Sequence, residues 1–240
     1  DNIQIPDGFV PPPPPEPTDA PPAPTADAAD VVSIFSDTYT DIATNYNPYW
    51  GQSGSVNTAF DPTGNGTNFV LAYTNFNYQG TDVTPTDASA MDYLHVDVWS
   101  SADPSVSILQ VSPINNGTGA AETLTTIDYA TGTWTSVDIP KASFTGMTWD
   151  NVFQLKFAAN GAGSTTPIDV YLDNIYFWKD AAPGETCADA ISYGAVNDAA
   201  ATGDLPAGGA VWYSFTTDGS YAQITITTNG STGLSDSRLA

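Results

Sequence analysis

Seven stretches of this chain carry the β-branched and aromatic residues of strands: 31–35 (VVSIF), 68–74 (NFVLAYT), 93–99 (YLHVDVW), 106–111 (VSILQV), 133–139 (TWTSVDI), 152–158 (VFQLKFA) and 168–178 (IDVYLDNIYFW). Clusters of Gly, Asn, Asp, Pro and Ser separate them. Helical spacing is not sustained anywhere, apart from a single turn expected around 147–152. About eight short strands with polar turns over some 150 residues predict an all-β protein, a jelly-roll β-sandwich occupying 31–180.

Proline marks where that body begins. Residues 11–15 are five prolines, and 11–30 contain only Pro, Ala, Thr and acid. Proline fixes φ and lacks an amide donor, so this stretch predicts an extended polyproline II spacer between modules. Asp1-Asn2-Ile3 repeats Asp173-Asn174-Ile175 of the last body strand. Residues 1–30 are accordingly read as the end of a preceding module plus a Pro-rich linker, in a tandem array. A Pro-Gly turn signal in 180–186 closes the body. Residues 181–240 start a second, partial β domain, in which Val211, Tyr213 and Phe215 alternate with polar neighbours, as do Ile224 and Ile226.

Charge excludes several classes of partner. The 240 residues hold 27 Asp and Glu against 4 Lys and Arg, a formal net charge of −23. Nucleic acid needs cations to neutralise phosphate and an anionic membrane repels such a surface, so neither is an expected partner. No apolar run approaches the ~18 residues of a membrane span. Cys187 is the single cysteine, so an internal disulfide is impossible. Glycoside hydrolysis needs two positioned carboxylates, but the three glutamates, Glu16, Glu122 and Glu185, fall in the tether, a loop and a boundary. With His95 the one histidine, and no nucleophile elbow or phosphate-cradling loop, the chain is read as non-catalytic.

The strands VYLDNIYFW and YLHVDVW and the segment TWTSVDIPKASF resemble the jelly-roll carbohydrate-binding modules of secreted polysaccharide-degrading or cell-surface proteins. The opening PTADAADVVSIFSDTYTD, followed by NPYWGQ and LAYTNFNYQG, resembles the version common in marine Bacteroidetes. The likeness covers about 30–180. It implies an extracellular module that holds a polysaccharide or cell-surface glycan, with neighbouring modules of the same longer chain as its other partners. Related jelly rolls hold a structural calcium near the first and last strands. By that resemblance Asp37, Asp41 and Asp173 are its candidate ligands. Asp173 also lies within a hydrophobic strand, where an unpaired carboxylate is costly.

Sugar recognition needs rings to stack on a pyranose and polar groups to bond its hydroxyls. In YLHVDVW, alternation gives Leu94, Val96 and Val98 to the core and leaves His95, Asp97 and Trp99 on the opposite face. In VFQLKF, Phe153, Leu155 and Phe157 point inward and Gln154 and Lys156 outward. These five outward residues are the first candidate binding face; the other reading makes them a solvated outer surface. Tyr46, Tyr49 and Trp50 crowd one turn, YNPYWGQ, with Tyr78 similarly placed. They either grip a ligand at the sandwich end or plug its core. Trp134 and Trp149 are read as core or core rim, and Trp178 as packing for the next domain. The overall acidity favours a neutral glycan. The alternative is a repeat module of an extracellular adhesin or filament, self-associating and without a sugar ligand.

Overall fold

A computed structural model describes residues 15–161, 164–165, 167–181, 190–195 and 212–216. The chain divides into two units, Asp1–Asp180 and Ala181–Ala240. In the first, the strands in chain order are β1 (Val31–Phe35), β2 (Thr44–Asn45), β3 (Ser55–Phe60), β4 (Val70–Phe76), β5 (Tyr78–Thr86), β6 (Tyr93–Trp99), β7 (Leu109–Asn115), β8 (Thr125–Ile127), β9 (Thr135–Pro140), β10 (Val152–Ala158) and β11 (Ile168–Trp178). The helical residues among those described are two 3-10 turns, Ala28–Asp30 and Lys141–Ser143. The turn of helix expected around 147–152 is not formed. Trp149 takes a left-handed φ of 61°, and β10 already begins at Val152.

The strands make two sheets, and every ladder between them is antiparallel. One has the order β3-β4-β11-β6-β9, with β1 also on β11; the other runs β2-β5-β10-β7-β8. Apart from β3–β4 and β7–β8, which pair as neighbours, successive strands pass back and forth between the two sheets, as in a jelly roll. The long β11 pairs β4 through its first half and β1 through its second. Leu94, Val96, Val98, Val170, Leu172, Ile175 and Phe177 of the six-stranded sheet face Val83, Leu109, Val111, Leu155 and Phe157 of the other in one buried cluster. Full burial of each such side chain is worth roughly 1.5–3 kcal/mol, so this interface holds the sandwich shut.

Two irregularities matter for what the outer faces display. The register of β10 shifts between Val152 and Gln154 against both neighbours. Val152 therefore fills the core and Phe153, expected inside, is half-buried and outside the core cluster. In β11 the register shifts after Asp173, with Asn174 at a φ of 49°.

The described part of the Pro-rich stretch is docked rather than free. Residues 15–26 have no strand or helix but lie on the outer face of the six-stranded sheet. Trp134 Nε1 donates to the Asp19 carbonyl at 2.6 Å, Asn174 Nδ2 to that of Pro22 at 3.4 Å, and Tyr39 Oη to that of Ala26 at 2.8 Å. Pro17 and Pro21 are buried. In the second unit, β12 (Ile191–Ala195) and β13 (Tyr213–Thr216) form a parallel pair. Asp1 to Ile3, Cys187, Val211, Ile224 and Ile226 lie outside the described residues.

Candidate functional site

The outer face of the five-stranded sheet gathers Trp50, Tyr78, Gln154 and Lys156 of the expected binding residues. Lys156 lies directly across from Gly80, and Gln154 across from Asp82, where Gln154 Nε2 donates to Asp82 Oδ1 at 2.8 Å. Thr81 and Val83 alternate with these positions; Thr81 contacts the Tyr73 hydroxyl and Val83 is core, so Gly80 and Asp82 face outward. Gln110, across from Ala158 on the far side of β10, shares this face. Lys156 Nζ bonds Glu122 Oε1 at 2.7 Å, and both side chains stay partly exposed.

Trp50 lies on Gly80. A Cβ at Gly80 would sit 2.4 Å from Trp50 Cε2 and 2.5 Å from Cδ2, so only glycine leaves room for the indole. The loop that carries the ring is held at several points. Trp50 N donates to Gln52 Oε1 at 2.6 Å, Gln52 Nε2 to the Pro48 carbonyl at 2.9 Å, and Tyr78 Oη to the Trp50 carbonyl at 2.8 Å. Gly51 takes a φ of 80°, a conformation that other residues adopt rarely. Tyr49, beside Trp50, is 88% exposed. Tyr46 divides from its neighbours: its hydroxyl donates to the Ile34 carbonyl and its ring meets Phe35 edge-on, so it plugs the core. Burial pushes that hydroxyl up to about 12.

His95, Asp97 and Trp99 belong to the other outer face, that of the six-stranded sheet. The expectation of one face shared with Gln154 and Lys156 is thus corrected: β6 and β10 lie in different layers. The three do leave the core side of β6 as alternation requires, yet they are 8%, 1% and 5% exposed. Trp99 packs with Val70, Ala72 and Tyr171 in a second apolar cluster, joined by Phe60 and Trp134. His95 stacks on Tyr176 with centroids 4.5 Å apart. Its Nδ1 lies 2.7 Å from Asp138 Oδ1 and its Nε2 3.4 Å from Asp97 Oδ1. Burial alone would lower the imidazole, but the bonds to Asp138 and Asp97 outweigh it and raise it to about 9. Ser136 Oγ donates to Asp97, not to His95. This is a network that holds a positive charge in place, without a hydroxyl activated by a base.

The expected calcium ligands are engaged within the chain. Asp37 accepts from Phe69 N at 2.9 Å, Asp41 from Ser33 Oγ at 2.6 Å, and Asp173 from Asn174 N at 2.7 Å. Burial, and then the charges of Asp37, Asp97 and Asp41, push the Asp173 carboxyl up to about 7. Among the described residues no three His, Cys, Asp or Glu side chains are arranged to hold a metal ion. As placed, Asp37, Asp41 and Asp173 do not make a calcium cage, and no role below runs through a metal.

Trp149 is fully buried, as a core residue. Trp134 is half-buried against the second cluster. Trp178 stacks on Tyr93 at 4.9 Å and donates to Asp138. Sequence reasoning missed Asp82 and Gln110, the polar neighbours of the Trp50 face. The signal was available only once β5 and β7 were given their registers.

No protein-family model matches the chain. No curated protein sequence matches it. Among solved structures, the chain is similar to the family 11 carbohydrate-binding module of a cellulosomal cellulase of Clostridium thermocellum, at 18% identity and a TM-score of 0.39 over 60% of this chain and 92% of that one. It is also similar to the family 30 carbohydrate-binding module of another cellulosomal cellulase of that organism, at 17% identity and 0.41 over 62% and 98%. A third is an adhesin domain of Lys-gingipain from Porphyromonas gingivalis, at 15% and 0.37 over 58% and 90%.

Proposed function

We propose that the first unit is a non-catalytic carbohydrate-binding module of an extracellular, multi-domain protein, and that it holds a neutral polysaccharide on the outer face of the five-stranded sheet. The observation that carries this reading is the seat of Trp50, an indole laid on Gly80 and held by a bonded loop beside the exposed Tyr49. A ring fixed at the surface before a ligand arrives loses little freedom on binding, and its apolar face suits the CH side of a pyranose. Gln154, Asp82, Gln110 and Lys156 supply donors and acceptors around it for hydroxyls. The one cation of this group is bonded to Glu122, and Asp82 adds a further carboxylate. The face therefore has no surplus of positive charge to attract a uronic or sulfated polymer, which supports a neutral one.

A glycan array of the whole chain against Trp50→Ala tests this. Neutral glucans, xylans or galactans should be retained by the native chain, and Trp50→Ala should weaken the signal at least about tenfold, or about 1.4 kcal/mol, while the chain stays folded with melting lowered by only a few degrees. Silence across the array in both forms would favour a structural repeat module instead. Binding untouched by Trp50→Ala would move the site elsewhere.

A further inference from the structure

We propose that the outer face of the six-stranded sheet is a polyproline-recognition groove, and that its ligand is the chain's own segment 15–26. A Pro-rich extended chain forms no internal hydrogen bonds, so its carbonyls stay available, and the proteins that bind such chains offer aromatic walls and side-chain donors. Both are found here. Trp134, Asn174 and Tyr39 donate to the carbonyls of Asp19, Pro22 and Ala26. Asp19 and Pro22 are three residues apart, the repeat of a polyproline II helix. Trp134 and Asn174 come from 115 and 152 residues further along the chain, and Tyr39 from 13, and all three converge on this one segment.

The apolar wall is Val70, Ala72, Trp99 and Tyr171. These side chains leave the sheet on the side away from the main core, yet they are between 0% and 5% exposed. Pro17 and Pro21 are buried in the segment that lies on this face. The Glu16 carboxylate is close enough to Tyr171 to help raise its hydroxyl, after burial. Further along, Pro22 to Ala26 roof a cavity of about 280 Å³ floored by His95, Asp97, Tyr176 and Trp178. The donors to the three carbonyls are neutral and read backbone, so the groove selects an extended, proline-stiffened chain over any particular side chain. Proline also lowers the cost of ordering the bound segment. Residues 15–26 thereby belong to the folded module and do not act as a free spacer.

The test uses the whole chain with residues 15–26 replaced by an equal length of Gly and Ser, and a synthetic peptide PEPTDAPPAPTA as the probe. The replaced chain should melt several degrees lower and show greater acrylamide quenching of its tryptophans. The peptide should bind it saturably and reverse both changes, and a copy with alanine for every proline should bind at least tenfold more weakly. An unchanged melting temperature and quenching, or failure of the peptide to bind the folded replaced chain, would overturn the proposal. Should the replaced chain fail to fold, Pro17→Ser with Pro21→Ser leaves the sheet intact. Increased quenching in that variant supports the groove, and native quenching refutes it.

Discussion

Placing one methyl group at residue 80 should separate binding from folding. In Gly80→Ala the new Cβ would meet the Trp50 indole at 2.4–2.5 Å. Carbon atoms rest about 3.5–4.0 Å apart, so the ring must withdraw by roughly 1 Å or more. Overpacking in a closed core costs about 1–3 kcal/mol, but Trp50 is half-buried and can lift toward solvent, which puts the cost near the lower end. Gly80 is not in the left-handed region, so alanine there also recovers about 0.4–1 kcal/mol of unfolded-state entropy. The two nearly cancel. Melting should change by no more than a few degrees, while glycan affinity falls at least about tenfold because the stacking ring has left its seat. Calorimetric titration on a retained neutral glycan reads the affinity, and scanning calorimetry the stability. The double variant Gly80→Ala with Trp50→Ala should bind no more weakly than Trp50→Ala alone, since both remove one interaction. Native affinity in Gly80→Ala would refute the reasoning, as would full additivity.

Other outcomes follow from the opposite face and the charges. His95 is raised from 6.5 to about 9 on folding, so its stabilisation is complete below about pH 6.5 and is lost as pH rises through 9. The span corresponds to about 3 kcal/mol at most, and His95→Gln should flatten the melting profile between pH 7 and 10. Asp173 has the opposite effect on stability: a carboxyl raised from 3.8 to about 7 takes up a proton on folding, so the fold weakens as pH rises between those values. Asp173→Asn, which keeps the acceptor for Asn174 N, should raise stability at pH 8 by up to about 4 kcal/mol and have little effect at pH 3.5. Lys156→Met breaks a partly exposed ion pair worth about 0–1 kcal/mol, so melting should barely move, and a neutral glycan should lose less than with Trp50→Ala.

The parts of the fold that could be read in advance are those whose cause is local. β1, β6, β10 and β11 have the expected bounds because dense β-branched and aromatic runs end at turn residues. β5 was not legible: Gly80 and Pro85 give YQGTDVTPT the look of a turn, although Gly80 is the floor on which Trp50 lies. Alternation gave the faces of β6 and β10, but alternation carries no information about which layer a strand joins, and the two sets of candidates parted there. The β10 irregularity, which turns Phe153 out of the core, depends on pairing with β5 and β7 and leaves no mark in its own residues. Docking of the Pro-rich segment rests on contacts with Trp134, Asn174 and Tyr39. Composition shows an extended chain there, but it cannot show what that chain touches.

Migration of the intact chain through native gels containing laminarin, xylan, agarose or alginate bears most directly on the claim that a pinned indole makes this surface a glycan receptor. At least one neutral polymer should retard the native chain, alginate should not, and Trp50→Ala should run freely in all four. Equal mobility of native and Trp50→Ala chains in every gel would contradict the account.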